Sequence, residues 1–253
     1  MFDPFRDFET AGYLRNKFAE KDPQIVQELE HQMFRASLDE AIAHLSKRRG
    51  SLSYADFMAV HRILFEGFYP WAGQDRAITA PDLSITKAGT LFSHPLAARL
   101  AVEEGLRIAS DKRQLRQRPG FVMGMFAYGH PFLDGNGRTM LVVHTELCHR
   151  AGFCIEWHRT NKSDYLAALS AEIETPNRGI LDAYLLPFIG EGKERQTWGG
   201  MIGGLPGLDG QGATDTIAGS YQDAQVAEQY REFERRRGYR IKPVGPAAAS
   251  SDE

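Results

Sequence analysis

The chain has 253 residues, of which 42% are hydrophobic, so it can bury the core of one large domain or two small ones. Its 30 basic and 33 acidic residues leave a net charge of -3, which argues against a global attraction to nucleic acid or to an anionic membrane. No apolar run approaches the roughly 20 residues that cross a bilayer. We therefore expect neither a membrane partner nor a nucleic-acid partner.

The N-terminus and the cysteines indicate in which cellular compartment the protein is expected. The first residues, MFDPFRDFETAG, lack the basic stretch and apolar run of a secretory signal, so we expect none. Cys148 and Cys154 show no CxxC pairing and no histidine at zinc-like spacing, so we interpret them as reduced, packed thiols. The absence of a disulfide framework favours a reducing compartment. We expect a cytoplasmic protein, and delivery into another cell stays open.

The first two predicted elements are long helices. Asp22 and Pro23 are typical of an N-cap and a first helical residue, and apolar residues then recur every three or four positions until Gly50. Ser53 is the predicted cap of a second helix, which ends at Gly67. Both helices are expected to be scaffold.

The helical period is lost between residues 69 and 94. This stretch contains proline, glycine and two short β-branched pieces, residues 77–79 and 84–86. It predicts a long loop that carries a small hairpin, and loops of this length in compact domains are usually functional or disordered. Trp71 and Phe92 look buried, which argues against disorder.

Helical patterns resume over residues 95–110, 119–128, 136–150, 163–173 and 180–189, so the predicted class is all-α with a small β-hairpin. Ten of the 31 residues from 190 to 220 are glycine, which is typical of a linker or a poorly ordered segment. Residues 221–237 predict one more charged helix before a Pro, Ala and Ser tail. The predicted division is a domain over 1–190, a Gly-rich linker over 191–220, and a C-terminal helix and tail over 221–253.

The most informative stretch is HPFLDGNGR, residues 130–138. Pro131 stops the preceding helix, and the DGNG run permits the positive φ angles of a tight turn. A new helix starts near Asn136, and its first turn has unpaired N–H groups and the positive end of the helix dipole. Glycine on either side of Asn136 lets a phosphate approach the backbone, so this turn predicts an anion site.

Three side chains add chemistry to the turn. Arg138 offers a fork of donors to phosphate oxygens, whereas Asp134 would suit a magnesium ion that bridges them. His130 has a reference pKa of about 6.5 and can accept a proton near neutral pH. Each of these residues alone is usually structural, but the nine positions together predict phosphoryl or nucleotidyl transfer. There is no GxxxxGK[ST] segment, so the turn is not a P-loop.

The stretch resembles the HPFx[DE]GNGR core of the Fic family, whose typical member transfers AMP from ATP to a target hydroxyl. The likeness continues upstream in LFEGFYPWAGQDR (64–76) and in ITKAGTLFS (85–93), which resembles the family's β-hairpin flap. Downstream, YLAALSAEIE (165–174) and LDAYLLPFI (181–189) occupy the places of its closing helices. The resemblance covers about residues 10 to 190 and implies that residues 1–190 are a Fic-type catalytic domain.

The resemblance implies a role for each residue of the motif. His130 would be the general base that deprotonates the target hydroxyl, and Asp134 would hold Mg²⁺ against the phosphates of ATP. The anion cradle would come from Gly135, Asn136 and Gly137, with Arg138 neutralising phosphate charge.

The same resemblance implies a docking site for the target protein. An extended target segment would pair with the flap and bring its Ser, Thr or Tyr hydroxyl over the site. The flap residues implied in this role are Thr86, Lys87, Ala88, Gly89, Thr90 and Leu91.

One position departs from the family pattern. The full motif ends GNGRxxR, but Leu141 stands where the second arginine belongs. Position 141 lies one turn beyond Arg138 on a similar helix face, so a second cation for the outer phosphate is missing. This leaves the donor open between ATP and another, such as CDP-choline, and the transferred group between AMP and phosphocholine, UMP or phosphate. A nucleotide-binding or protein-interaction module without turnover is the remaining alternative.

A second departure concerns inhibition. Many Fic proteins carry an inhibitory helix with [ST]xxxE[GN], whose glutamate pairs with the second arginine, and this chain has no convincing copy. SAEIET, residues 170–175, comes nearest but ends in threonine inside a predicted closing helix. Control by a separate antitoxin-like chain or by the C-terminal tail is the expectation that follows.

Overall fold

The computed structural model describes residues 1–203, 205 and 215–241. Parts of the predicted Gly-rich linker (204 and 206–214) and the predicted Pro, Ala and Ser tail (242–253) lie outside the described residues. The described helices are α1 (Phe8–Ala11), α2 (Pro23–Lys47), α3 (Tyr54–Phe65), α4 (Arg76–Thr79), α5 (Pro95–Ala109), α6 (Lys112–Gln117), α7 (Pro119–Gly129), α8 (Asn136–Arg150), α9 (Lys162–Glu174), α10 (Ile180–Leu185), α11 (Trp198–Gly203) and α12 (Ala224–Arg237).

The centre of the fold is α7, whose every residue is buried. Helices α5, α9 and α10 pack around it, and its small residues permit their close approach. A Cβ on Gly120 would lie 2.3 Å from the backbone of Leu181, and one on Gly124 would lie 2.6 Å from the side chain of Glu172. The turn after α7 leads directly into α8, so the central helix pair positions the HPFLDGNGR stretch.

The predicted long helices are present with the predicted caps. The Asp22 side chain accepts hydrogen bonds from the amides of Gln24 and Ile25 at the start of α2. At the start of α3, Ser53 and Asp56 form a reciprocal capping box. These two helices pack on each other and on α8, which gives the turn before α8 a rigid support.

The strands form two small sheets. The predicted hairpin is β1 (Leu83–Lys87) with β2 (Thr90–Leu91), and it is followed by β3 (Phe153–Ile155), β4 (Ile189–Glu191) and β5 (Asp215–Ser220). β3 pairs antiparallel with β4, and β5 pairs antiparallel with β1, which gives the strand order β2-β1-β5. The flap is therefore a three-stranded sheet whose third strand comes from the C-terminal part of the chain.

Two predicted elements are different in the structure. Residues 77–79, predicted as an extended piece, lie in α4, because the Asp75 side chain caps that turn through the amide of Ala77 at 2.7 Å. The helix predicted over 180–189 ends at Leu185, because Pro187 lacks the donor for a further turn and the chain passes through a 3₁₀ turn into β4.

The C-terminal part of the chain is well packed where it is described. Trp198 and Ile202 of α11 are buried, and the predicted charged helix is present as α12. The division into domain, linker and tail stays a prediction. Both cysteines are free thiols and buried, as expected. No helix in the described ranges has the length and apolar character needed to span a membrane.

Candidate active site

His130 lies at the C-terminal end of α7 in a left-handed conformation, with φ 43° and ψ 56°. This conformation is uncommon for a residue with a side chain, and surrounding contacts hold it. The Arg76 guanidinium donates from Nε to the carbonyl of His130 at 3.0 Å and from Nη2 to that of Ser93 at 2.7 Å. The Phe92 ring stacks on the imidazole with 3.7 Å between ring centroids.

The imidazole of His130 is buried but not isolated. Burial lowers its pKa below the ordinary value, although the nearby Asp215 carboxylate acts in the opposite direction. Burial would raise the pKa of Asp215, but His130 and Lys87 together hold it below the ordinary value. The carboxylate is therefore ionised, and His130 donates from Nε2 to Asp215 Oδ2 at 2.7 Å.

The turn before α8 is fixed by a glycine and an amide side chain. Gly135 adopts φ 75° at the N-cap, and a Cβ there would lie 2.5 Å from the ring of Phe65. The Asn136 side chain accepts from the amide of Phe132 at 3.0 Å and donates to its carbonyl at 2.8 Å. The side-chain amide of Asn136 thus closes the turn, and the backbone N–H of Asn136 lies at the open end of the helix.

The surroundings of Gly137 are open, unlike those of Gly135. A Cβ at this position would meet no described atom within 4 Å, and the residue lines a cavity. Among the described residues, the N–H groups in the first turn of α8 have no hydrogen-bond partner, and they lie beside open space. This is the arrangement in which a helix N-terminus accepts an anion.

Arg138 lies in the same turn, but its charge is already engaged. Its Nη2 donates to Glu30 Oε2 of α2 at 2.7 Å, and the guanidinium lies 4.6 Å from the ring centre of Phe65. Burial raises the pKa of Glu30 to about 7, although Arg138 opposes this rise. The pair is buried in the cavity wall.

Asp134 keeps partial access to the cavity, with 31% of its side chain exposed. Its Oδ1 accepts from the amide of Gly135 at 2.6 Å and lies 3.7 Å from Arg138 Nη2. The Asp134 carbonyl is held by His61, whose Nε2 lies 3.0 Å away while its Nδ1 accepts from the amide of Gly73. Burial lowers the pKa of His61 to about 3, so the ring is neutral and donates from Nε2.

One cavity of about 590 Å³ brings the predicted motif residues together, a volume within the usual range for small-molecule sites. Leu141 is buried in its wall, and Trp157 and Tyr165 supply aromatic surface. The predicted site residues that line it are Lys87, Ala88, Thr90, His130, Asp134, Gly135, Asn136, Gly137 and Arg138.

The other flap residues lie around the strand edges. Ala88 and Gly89 form the hairpin turn with φ 48° and 83°, and Thr86 pairs with Leu91 across it. The Thr86 hydroxyl lies 2.8 Å from that of Thr216 in β5. The flap edge therefore contacts another part of the same chain.

Four residues of the site were not found from the sequence. Arg76 and His61 fix the backbone of the motif, Glu30 pairs with Arg138, and Asp215 contacts His130. Glu30 on an apolar helix face was a usable signal, because buried carboxylates need a partner. Asp215 gave no signal, since it follows a Gly-rich stretch 85 residues from its partner.

Comparisons with known proteins relate the chain to one family. The family model described as Fic/DOC family matches residues 51–148. The chain is 28% identical over 193 residues to the protein adenylyltransferase VbhT of Bartonella schoenbuchensis, covering 72% of this chain and 38% of that relative. It is 30% identical over 165 residues to the probable protein adenylyltransferase y4lH of Sinorhizobium fredii, covering 62% of this chain and 81% of that protein.

Solved structures share the fold at low sequence identity. The BepC protein of Bartonella tribocorum with bound AMPPNP has a TM-score of 0.57 at 15% identity, covering 73% of this chain and 96% of that one. A Fic domain from Bartonella quintana with bound ADP has a TM-score of 0.58 at 17% identity, covering 75% and 96%. These likenesses confirm the predicted all-α fold with its small hairpin.

Proposed function

The chain belongs to the Fic/DOC family, and from this premise we propose that it is a protein adenylyltransferase, which transfers AMP from ATP to a hydroxyl side chain of a target protein. The observation that carries the proposal is the single cavity in which a buried imidazole, an open helix N-terminus and a partly exposed carboxylate converge. Support for ATP comes from relatives named adenylyltransferases and from fold neighbours with bound AMPPNP and ADP.

In this proposal His130 is the general base. Burial keeps its ring neutral at pH 7, and Arg76 fixes the backbone that carries it. With Asp215 displaced and the ring proton carried on Nδ1, the target oxygen would approach Nε2, give up its proton there and attack the α-phosphorus of ATP. The bond from that phosphorus to the bridging oxygen would break, and pyrophosphate would leave with the electron pair.

The phosphates would lie against the first turn of α8. Gly137 leaves open space beside the unpaired N–H groups, and Gly135 and Asn136 set the turn in advance. Arg138 adds positive charge once a phosphate competes with Glu30 for its guanidinium. Because the donors are positioned before the substrate arrives, the contribution to catalysis is electrostatic and geometric.

Asp134 is the residue that would hold Mg²⁺. Its carboxylate is partly exposed to the cavity beside the phosphate cradle, and an oxygen ligand suits this ion. The described residues contain no group of three or more metal-binding side chains, so the remaining ligands would be phosphate oxygens and water. A bound Mg²⁺ would supply charge neutralisation to the phosphates.

The flap would dock the target. Residues 86–91 carry a strand edge and a turn next to His130, and three of them line the cavity. An extended target segment would pair with β1 and bring its hydroxyl to the imidazole.

The test is labelling of cell lysate with α-labelled ATP and Mg²⁺. We expect the wild type to label a protein band and His130→Ala to label none. His158→Ala is the matched control, because His158 is exposed and lies outside the cavity, and it should label as the wild type does. Equal labelling by wild type and His130→Ala would contradict the assignment of the base.

A second candidate keeps the mechanism but changes the donor. Leu141 is buried in the cavity wall where the family pattern has a second arginine, and the charge of Arg138 is paired with Glu30. Arg138 and Leu141 therefore offer little free positive charge to an outer phosphate, which favours a donor with fewer phosphate charges, such as CDP-choline. A panel of labelled ATP, UTP and CDP-choline decides between them, and exclusive use of ATP would eliminate this candidate.

A further inference from the structure

The outer edge of the flap is covered by the chain's own strand β5. The strand pairs antiparallel with β1, which therefore lies between its hairpin partner and β5. The paired residues are Leu83 with Ser220, Ser84 with Gly219, Ile85 with Ile217, Thr86 with Thr216 and Lys87 with Asp215. β5 thus covers one side of β1 along its whole length, and β2 covers the other side at residues 86–87.

The first residue of β5 reaches the proposed base. Asp215 is 6% exposed, with Oδ2 at 2.7 Å from His130 Nε2 and Oδ1 at 3.4 Å from Lys87 Nζ. A group whose proton is abstracted must lie within hydrogen-bond reach of the base. Asp215 therefore occupies the position that an acceptor hydroxyl needs, but as an ionised carboxylate it has no proton to give.

Helix α12 anchors this strand to the domain. The Tyr230 hydroxyl accepts from the amide of His94 at 3.0 Å, and Tyr128 donates a hydrogen bond to Glu234. Arg237 is buried, with its guanidinium 3.2 Å from the ring centre of Tyr128. The contacts on α12 are made with the ends of α5 and α7, so the strand is held against the domain from its C-terminal side.

We propose that residues 215–220 are a resident pseudosubstrate strand, which occupies the target-docking edge of the flap and fills the acceptor position with Asp215. This inference rests on the proposed adenylyl transfer. A target protein must displace β5 before it can pair with β1. The strand therefore competes with targets for the flap, independently of any control at the phosphates.

Because residue 215 lies at the acceptor position, a hydroxyl group introduced there should be modified. In Asp215→Ser the introduced hydroxyl takes the acceptor position. Its oxygen would form a bond to the α-phosphorus of ATP, the bond between that phosphorus and the bridging oxygen would break, and pyrophosphate would leave. Without the Asp215 carboxylate to hold a proton on Nε2, the ring proton would lie on Nδ1, and the hydroxyl proton would pass to Nε2 of His130. The strand would become a substrate of its own domain.

The first experiment incubates purified full-length variants with ATP and Mg²⁺ and locates adducts by intact and fragment mass spectrometry. We expect an AMP adduct on position 215 of Asp215→Ser, and none at this position in the wild type or in Asp215→Ala. Combining Asp215→Ser with His130→Ala should abolish the adduct. An Asp215→Ser protein that labels other proteins but carries no adduct at position 215 would overturn the proposal.

The second experiment measures strand displacement without using activity. Hydrogen exchange should be slow in the amides of β1 and β5 of the wild type and faster in Tyr230→Ala, which removes an anchor. Arg231→Ala is the matched control on the same helix, because Arg231 is exposed and pairs only within α12. Unchanged exchange in a folded Tyr230→Ala protein would contradict the anchoring.

Labelling of lysate with α-labelled ATP then links the two measurements. Both Asp215→Ala and Tyr230→Ala should label targets several-fold more strongly than the wild type, and Arg231→Ala should not. If labelling is equal in all of them although exchange shows an opened strand, β5 does not compete with targets. If no variant labels anything, the proposed function fails, and hydrogen exchange still reports whether β5 covers the flap.

Discussion

The two faces of the cavity are built in different ways. The face proposed to bind phosphate, called the phosphate face, is a turn between two buried helices, and its contacts are made with the core through Phe65, His61 and Arg76. The flap face is completed by β5, which is held through α12 and contacts His130 across 85 residues of sequence. The difference matches the two proposed partners: a nucleotide needs fixed donors, whereas a protein target needs an edge that can be vacated.

The largest effect should come from disturbing the phosphate face. In Gly135→Ala the new Cβ would lie 2.5 Å from the Phe65 ring at φ 75°, so both sterics and backbone disfavour it. We expect a loss of at least about 3 kcal/mol in the free energy of unfolding. Urea denaturation measures it. A loss below about 1 kcal/mol would show that this turn is as adaptable as the flap face.

The pair of Glu30 and Arg138 should make stability depend on pH. The pKa of Glu30 is raised to about 7 in the folded protein, so the folded state binds the proton of this carboxyl group more tightly than the unfolded state does. The resulting stabilisation of the folded state is fully present below about pH 4.5 and is lost as the pH rises through 7. Glu30→Gln removes this titration. The variant should gain on the order of 2 kcal/mol relative to wild type between pH 5 and pH 8.

Urea denaturation at several pH values measures this change. Glu28→Gln is the matched control, because it lies on the same helix and is exposed, and its stability should follow that of the wild type at each pH. A constant difference between Glu30→Gln and wild type from pH 5 to pH 8 would show that Glu30 does not titrate in this range.

Gly137→Ala separates binding from folding on the same face. The new Cβ meets no described atom within 4 Å, and alanine favours helix by about 1 kcal/mol, so unfolding should be unchanged or slightly harder. The methyl group would occupy the space left for phosphate, so we expect nucleotide affinity to fall by about tenfold, or about 1.4 kcal/mol. Calorimetric titration with ATP and Mg²⁺ measures this, and undiminished affinity would place the phosphates elsewhere.

The smallest effect is expected on the flap face. Thr216→Val removes the hydroxyl contact with Thr86 but keeps the β-branched shape. We expect β5 to be weakened by less than about 1 kcal/mol, with global stability almost unchanged. Hydrogen exchange of the β1 amides should accelerate modestly, and a large global destabilisation would mean that β5 belongs to the core.

Much of the fold was predictable because its signals are local. Asp22 and Ser53 cap their helices as the sequence indicated, and the hairpin over β1 and β2 lies within the predicted loop. The errors also have local causes. The composition of residues 77–79 predicts an extended segment. The Asp75 side chain caps a helical turn there instead, and a prediction from composition does not take such a cap into account.

The sequence by itself determined the turn before α8, because HPFLDGNGR encodes a helix stop, a tight turn and a helix start within nine residues. It also determined that Leu141 breaks the family pattern. Only the tertiary structure decided which groups surround these residues. Glu30 and Asp215 reach Arg138 and His130 from distant segments, and such long-range pairings depend on how the helices pack. The roles of the site residues in adenylyl transfer stay predictions.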